Sequence, residues 1–201
     1  MQKLSIAEIE KKLNKKIRKD CVSVGWDVAE HQTGNCLLKT NKTDIEIVSL
    51  DKIITNPKDD IKHRLDYFVM ELEKYKQSMP ERKEWRLNII EDSFMGQNVN
   101  CLKSLVRFST AIYLIFKKDV DYQDFLMPMQ VRSRIGFNQK NEEEIQKIKR
   151  GVFSKGKNKG KEKKVDLKVL VKGYLKRQFN VSIEDSDEAD AFGLALAGLL
   201  A

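Results

Sequence analysis

The chain has 201 residues and a formal charge of +8, with 41% apolar and 34% charged residues. That length suits one domain with a real core. The charge favours a polyanionic partner, although scattered surface lysine gives the same balance. No apolar run approaches the ~20 residues of a bilayer-spanning helix, and Met1 to Asp20 is too charged for a secretory signal. Cys21, Cys36 and Cys101 show neither a disulfide framework nor zinc-ligand spacing, so a reducing, cytoplasmic-type compartment is expected.

Residues 4–18 read as an amphipathic helix, with Ile6, Ile9, Leu13 and Ile17 near helical spacing. Three apolar runs follow, Val22 to Val28, Cys36 to Leu38 and Ile45 to Leu50. Turn residues at Thr33-Gly34-Asn35 and Thr40-Asn41-Lys42 separate them, which predicts an antiparallel meander. After Asn56-Pro57, the stripe Ile61, Leu65, Phe68, Val69, Leu72 and Tyr75 predicts a helix ending at Met79-Pro80. Leu87 to Ile90 reads as a buried central strand. Residues 98–117 form a helix with little polar face in its second half, buried on two sides or shared with a partner subunit. Phe125 to Val131 reads as a fifth strand, placed at an edge or bulge by Pro128. Glu142 to Lys149 is a short polar helix. Ser154 to Lys164 is glycine-spaced and nearly all lysine. Helices from Asp166 to Phe179 and from Ser186 to Leu200 close the chain, the last with a capping-box spacing at Asp185 and Glu188. A helical crossover after the third strand returns a parallel fourth strand. The sum is an α/β fold: a mixed five-stranded sheet with helices on both faces.

Four acids stand out. Asp27 closes the first apolar run, Glu91 closes the run Leu87 to Ile90, and Asp187 and Asp190 open the last helix at i and i+3. Two strand ends and one helix start can bring them to one point. An Asp after a strand is often only its solvated end, and acids in a first helical turn are favoured by capping and the dipole. Taken together and in this order, the four suit hard divalent cations facing a phosphate backbone. Two Mg²⁺ ions about 4 Å apart activate water and stabilise the leaving oxygen in phosphodiester hydrolysis.

These residues carry a resemblance. Gly25-Trp26-Asp27, followed by Thr33-Gly34, resembles the first motif of the RuvC family of Holliday junction resolvases. Ile90-Glu91-Asp92-Ser93-Phe94-Met95, with Asn98 after it, resembles the second, and Asp187-Glu188-Ala189-Asp190-Ala191 the closing one. The resemblance spans roughly 21–200 and is close only at the motifs. It implies an RNase H-like fold, a three-stranded antiparallel meander plus two parallel strands. It also implies a homodimer and symmetric nicking of a four-way DNA junction. Asp27, Glu91, Asp187 and Asp190 are then the catalytic residues and the ligands of two Mg²⁺ ions, with Mn²⁺ expected to substitute. Phe94 is implied as an aromatic wedge that stacks on an exposed base, with plain core packing as its alternative. Arg132 and Lys164 match basic positions facing the scissile phosphate or the DNA backbone. Where the bacterial members have proline-glycine after the first aspartate, this chain has Val28-Ala29. Helix 4–18 and much of 136–163 are additions, as in phage and other divergent members.

The expected organisation is an N-terminal helical extension over 1–20 and a nuclease domain over 21–201, with a lysine-rich loop at 151–164. Lys155, Lys157, Lys159, Lys161, Lys163 and Lys164 read either as a phosphate-tracking flap or as a solvated linker. Five phosphate contacts there give a salt slope of about −4 to −5. His31 follows Asp27 closely and His63 is expected on a helix surface; neither makes a convincing ligand. Trp26 is expected in the core. The leading expectation is a Mg²⁺-dependent endonuclease of branched DNA, chiefly four-way junctions. It is expected in the cytoplasm, that of the host if the source is a phage, with no membrane partner. A broader flap or fork nuclease of the same fold, and a non-catalytic junction-binding protein, are the alternatives.

Overall fold

The computed structural model describes residues 2–79, 84–92, 99–147, 152, 161, 163 and 165–200. Among them the elements run β1 (Lys3–Ser5), α1 (Ile6–Leu13), β2 (Cys21–Asp27), β3 (Gln32–Thr40), β4 (Asp44–Ile54), α2 (Ile61–Ser78) and β5 (Trp85–Glu91). Then come α3 (Val99–Phe116), β6 (Tyr122–Leu126), α4 (Pro128–Arg134), α5 (Gln139–Gln146), α6 (Leu167–Phe179) and α7 (Ser186–Leu199). The sheet order is β1-β4-β3-β2-β5-β6. β1 to β4 pair antiparallel, whereas β5 runs parallel to β2 and β6 parallel to β5. The α2 and α3 crossovers make this necessary, since a strand that returns through a helix lies parallel to a strand it left.

Alternation along β2 divides the core. Val22, Val24 and Trp26 face α2 and α3, where they meet Phe68, Leu72, Phe108, Ile112 and Phe116. Cys21 belongs to the opposite core, with α1, α6 and α7, and Ser23 on that same face donates to the Ala195 carbonyl of α7 at 2.8 Å. Trp26 is fully buried, and its Nε1 donates to Asn88 Oδ1 at 2.7 Å. Asn88 in turn donates to Gln123 Oε1 at 2.7 Å, which satisfies the polar groups of three adjacent strands.

Helix α7 is the centre of the second core. Every residue from Ala191 to Leu199 is buried. It lies against the sheet at backbone distance because the facing strand positions lack side chains. A Cβ on Gly25 would stand 2.2 Å from the Ala191 carbonyl oxygen, and one on Gly34 2.4 Å from the Asp187 carbonyl oxygen. On the helix side, a Cβ on Gly198 would stand 2.6 Å from Ile89 Cγ1.

The structure departs from expectation in three places. The sheet has six strands, because residues 3–5 pair with β4 and do not start a helix. Ser5 accepts from the Glu8 amide as the N-cap of α1, so the helix begins after it and Lys3-Leu4-Ser5 is free to add to the edge. The strand expected over 125–131 is β6 followed at once by α4. Pro128 takes the first turn of that helix, where its missing N–H costs nothing. Strands β3 and β4 are also longer than their apolar runs, since the turn residues Thr33-Gly34-Asn35 are paired inside the ladder.

The N-terminal segment is tied to the helices around it. Ile6 and Ile9 are buried in the α7 core. Lys12 donates to the Gln178 carbonyl at 2.6 Å and Lys15 to the Arg134 carbonyl at 2.6 Å, so each lysine closes a helix C-terminus, of α6 and α4 in turn.

Close packing at Gly25 predicts an asymmetric response. Gly25→Ala forces α7 off the sheet and is expected to cost about 1–3 kcal/mol in chemical denaturation. At Gly193 the nearest atom to an added Cβ is 3.5 Å away, so Gly193→Ala is expected to be neutral or to gain up to about 1 kcal/mol of helix propensity.

Candidate active site at the ends of β2, β5 and α7

Trp26 pairs with Ile90 in the parallel β2–β5 ladder. One residue further along, Asp27 stands beside Glu91, and both project to the α7 face. Across the other ladder Asp27 pairs with Gly34, over which the backbone of Asp187 sits. The same absent side chain that lets α7 approach therefore brings its first turn down onto Asp27. Asp185 fixes that turn. Its Oδ1 accepts from the amides of Asp187 and Glu188 at 2.9 and 3.2 Å, and its Oδ2 accepts from Lys52 of β4 at 2.6 Å.

The acids are crowded enough to alter one another. Burial raises the Asp27 carboxyl well above the usual range, and a hydrogen bond to Glu91 with the charges of Glu91 and Asp187 raises it further. Asp27 is 7% exposed. Glu91 is raised by burial and by Asp190, although its hydrogen bond to Asp27 and the cations Arg132 and Lys168 oppose this. Asp190 is pushed up to about 6, by burial first and by Asp27 second, against Lys168 and Arg132. Asp187 has both oxygens engaged. Oδ1 accepts from Lys168 at 2.8 Å and Oδ2 from Gln32 at 3.0 Å.

Arg132 lies on α4. With Glu91, Pro128, Val131, Ala189 and Asp190 it lines a cavity of about 30 Å³ at the edge of the acids, room for roughly two waters. The structure thus brings together Asp27, Glu91, Asp187, Asp190 and Arg132. Lys161 and Lys163 are exposed ahead of α6. Phe94, Lys155, Lys157, Lys159 and Lys164 lie outside the described residues. Of the histidines, His63 bonds Asp60 at 2.8 Å on the surface of α2, and His31 is exposed.

Three partners of the acids escaped sequence reasoning: Lys168, Gln32 and the Lys52–Asp185 pair. Lys168 was hidden among neighbouring lysines. Gln32 precedes the Thr33-Gly34 signal and shows its role only once β3 is laid beside α7.

The donor chemistry suits a hard divalent cation, with carboxylate oxygens and no thiolate or imidazole. Buried acids that raise one another also call for a positive charge among them. Among the described residues, however, no three of His, Cys, Asp and Glu are gathered as ligands around a single ion position. An ammonium holds Asp187 instead.

No protein-family model matches the chain, and no curated protein matches it in sequence. Solved structures do. The chain superposes on Thermus thermophilus RuvC in complex with a Holliday junction substrate with a TM-score of 0.58, over 88% of this chain and 91% of that one, at 17% identity. Thermus thermophilus RuvC gives 0.57 over 88% and 92%, at 16% identity. The yeast mitochondrial Holliday junction resolvase Ydc2 gives 0.50 over 95% and 82%, at 11% identity. The fold is RuvC-like, a mixed sheet with helices on both faces, as the motifs around Asp27, Glu91 and Asp187 imply.

The raised carboxyl of Asp190 has a signed consequence. Its unfolded value is about 3.9, so the folded protein holds this proton more tightly. Its contribution to stability is present below pH ~4 and is lost as pH rises through about 6. Asp190→Asn is therefore expected to flatten the fall in stability of the metal-free protein between pH 4 and 7. It should stabilise that protein at pH 7 by about 1–2 kcal/mol in urea titrations. Equal pH slopes for the two proteins would contradict this.

Proposed function

We propose that the chain is a Mg²⁺-dependent, structure-selective endodeoxyribonuclease that resolves four-way DNA junctions by paired nicks. The observation that carries this reading is the convergence of Asp27, Glu91, Asp187 and Asp190 at one edge of a RuvC-like sheet, with Arg132 beside them. One of the similar structures holds a Holliday junction substrate, which supports branched DNA as the substrate class.

The four carboxylates would hold two Mg²⁺ ions, or Mn²⁺ in their place. When bound, such ions supply an activated water and neutralise charge at phosphorus and the leaving oxygen. The remaining work belongs to the chain. Asp27, fixed on a strand end beside Glu91, would be one of the ligands. Arg132 offers a guanidinium to a phosphate oxygen at the same edge, a charge-assisted and geometrically selective contact. Attack of a water oxygen on phosphorus would form a new P–O bond and break P–O3′, the water giving up a proton and O3′ taking one up, which leaves 5′-phosphate and 3′-hydroxyl ends. Lys155, Lys157, Lys159, Lys161, Lys163 and Lys164 would track phosphates and Phe94 would stack at the branch point. Contacts of this kind read shape and backbone more than base sequence.

Paired nicks need two sites, hence two copies of the chain. Helix α3 supports this. It is an 18-residue helix of largely apolar residues. Ile112, Phe108 and Phe116 pack inward, while Val99, Val106 and Leu114 are exposed on the other face among polar residues. A second copy is the occupant that paired cleavage requires.

The test is a synthetic four-way junction with Mg²⁺, both nick positions being mapped, beside flap, fork and linear duplex substrates. Symmetric nicks on the junction are expected. Asp27→Asn and Glu91→Gln should each lower cleavage at least about a hundredfold while junction affinity stays within about threefold. Preferred cutting of flaps or forks would support the broader nuclease. Junction binding without cutting by the unaltered chain would indicate a silent binding protein.

A further inference from the structure

The acids of the site have a cation already. Lys168 reaches Asp187 Oδ1 at 2.8 Å and approaches Ser186 Oγ at 3.4 Å. Its charge also acts on Asp27, Glu91 and Asp190, while its direct contact is with Asp187. The side chain is 51% exposed, which puts it at the mouth of the site, against solvent on one side. Its position on the backbone is unfavourable for a cation. Lys168 occupies the first turn of α6, after the N-cap Asp166, where the helix dipole is positive. What holds the ammonium there is the acid cluster. Arg132 cannot serve in its place, because it approaches from α4, on the Glu91 and Asp190 side.

We infer that Lys168 is a resident counter-cation, which neutralises the carboxylate cluster in the metal-free protein and is displaced from Asp187 when a divalent ion binds. This deepens the metal-dependent reading and rests on it. Lys168 already occupies Asp187 Oδ1 and brings a positive charge to the cluster, so a divalent ion that takes that oxygen competes with the ammonium. By linkage, whatever favours one occupant disfavours the other. The competition sets a threshold. The acids stay tolerably neutralised without metal, and the site loads only when the divalent ion outcompetes a tethered ammonium. Once released, Lys168 remains at the solvent-facing mouth of the site.

The experiment is Mn²⁺ binding to the full chain without DNA, followed by electron paramagnetic resonance and by calorimetry. It compares the unaltered protein, Lys168→Met and Lys168→Gln. Met keeps the apolar stem and Gln keeps polarity, so both should fold, with circular dichroism as the check. Both substitutions are expected to tighten Mn²⁺ binding by about 5- to 50-fold. In an Asp187→Asn background, where the shared oxygen pair is altered, the gain should shrink to less than about twofold. If the unaltered chain binds Mn²⁺ and Lys168→Met binds it equally or more weakly, the counter-cation role is overturned while the metal site stands. If no variant binds Mn²⁺, the metal-dependent reading falls and this inference falls with it.

Discussion

Four carboxyl groups held close together at the edge of a sheet are the constraint around which this molecule is arranged. Left alone they repel, and burial makes the repulsion stronger. Only a rigid frame keeps them adjacent. That frame is the contact of α7 with β2 and β3, where glycine lets backbone approach backbone at Gly25 and Gly34. Hydrogen bonds from Ser23 to Ala195 and from Lys52 to Asp185 fasten the same helix at its middle and at its start. The acids are therefore imposed by the fold and not drawn together by their own attraction.

Such an arrangement costs stability. Asp27 and Glu91 sit on neighbouring parallel strands, so their spacing is fixed by the ladder. Asp187 and Asp190 sit one helical turn apart, so their spacing is fixed by the helix. Cations are then the natural complement: Lys168 and Arg132 in the protein itself, and divalent ions under the proposed chemistry. The N-terminal segment contributes at a distance. Lys12 and Lys15 cap the C-termini of α6 and α4, the two helices that present those cations.

Much of this was legible in the sequence, for identifiable reasons. The stripe from Ile61 to Tyr75 gave α2, and the apolar runs gave β2 and β5 with their terminal acids. Strand ends followed by Asp or Glu are conspicuous because the change from apolar to charged is abrupt. Alternation could not give the lengths of β3 and β4, since Thr33 and Asn35 look like turn residues while being paired and buried. Pro128 misled because proline suits both an edge strand and a helix start. Residues 3–5 paired with β4 through backbone groups, which carry no side-chain signature. Lys168 was illegible for a different reason. In a stretch so rich in lysine, no spacing distinguishes the one that faces acids from those that face solvent.

The central proposal is that the neighbouring carboxylates of Asp27, Glu91, Asp187 and Asp190 together take up two divalent ions. A crystal structure of the full chain grown with Mn²⁺, with anomalous difference density measured near the manganese edge, addresses it most directly. The account predicts two peaks about 4 Å apart among Asp27, Glu91, Asp187 and Asp190, with the Lys168 ammonium withdrawn from Asp187. A map with no peak among these four residues, at Mn²⁺ concentrations that occupy other sites, would contradict it.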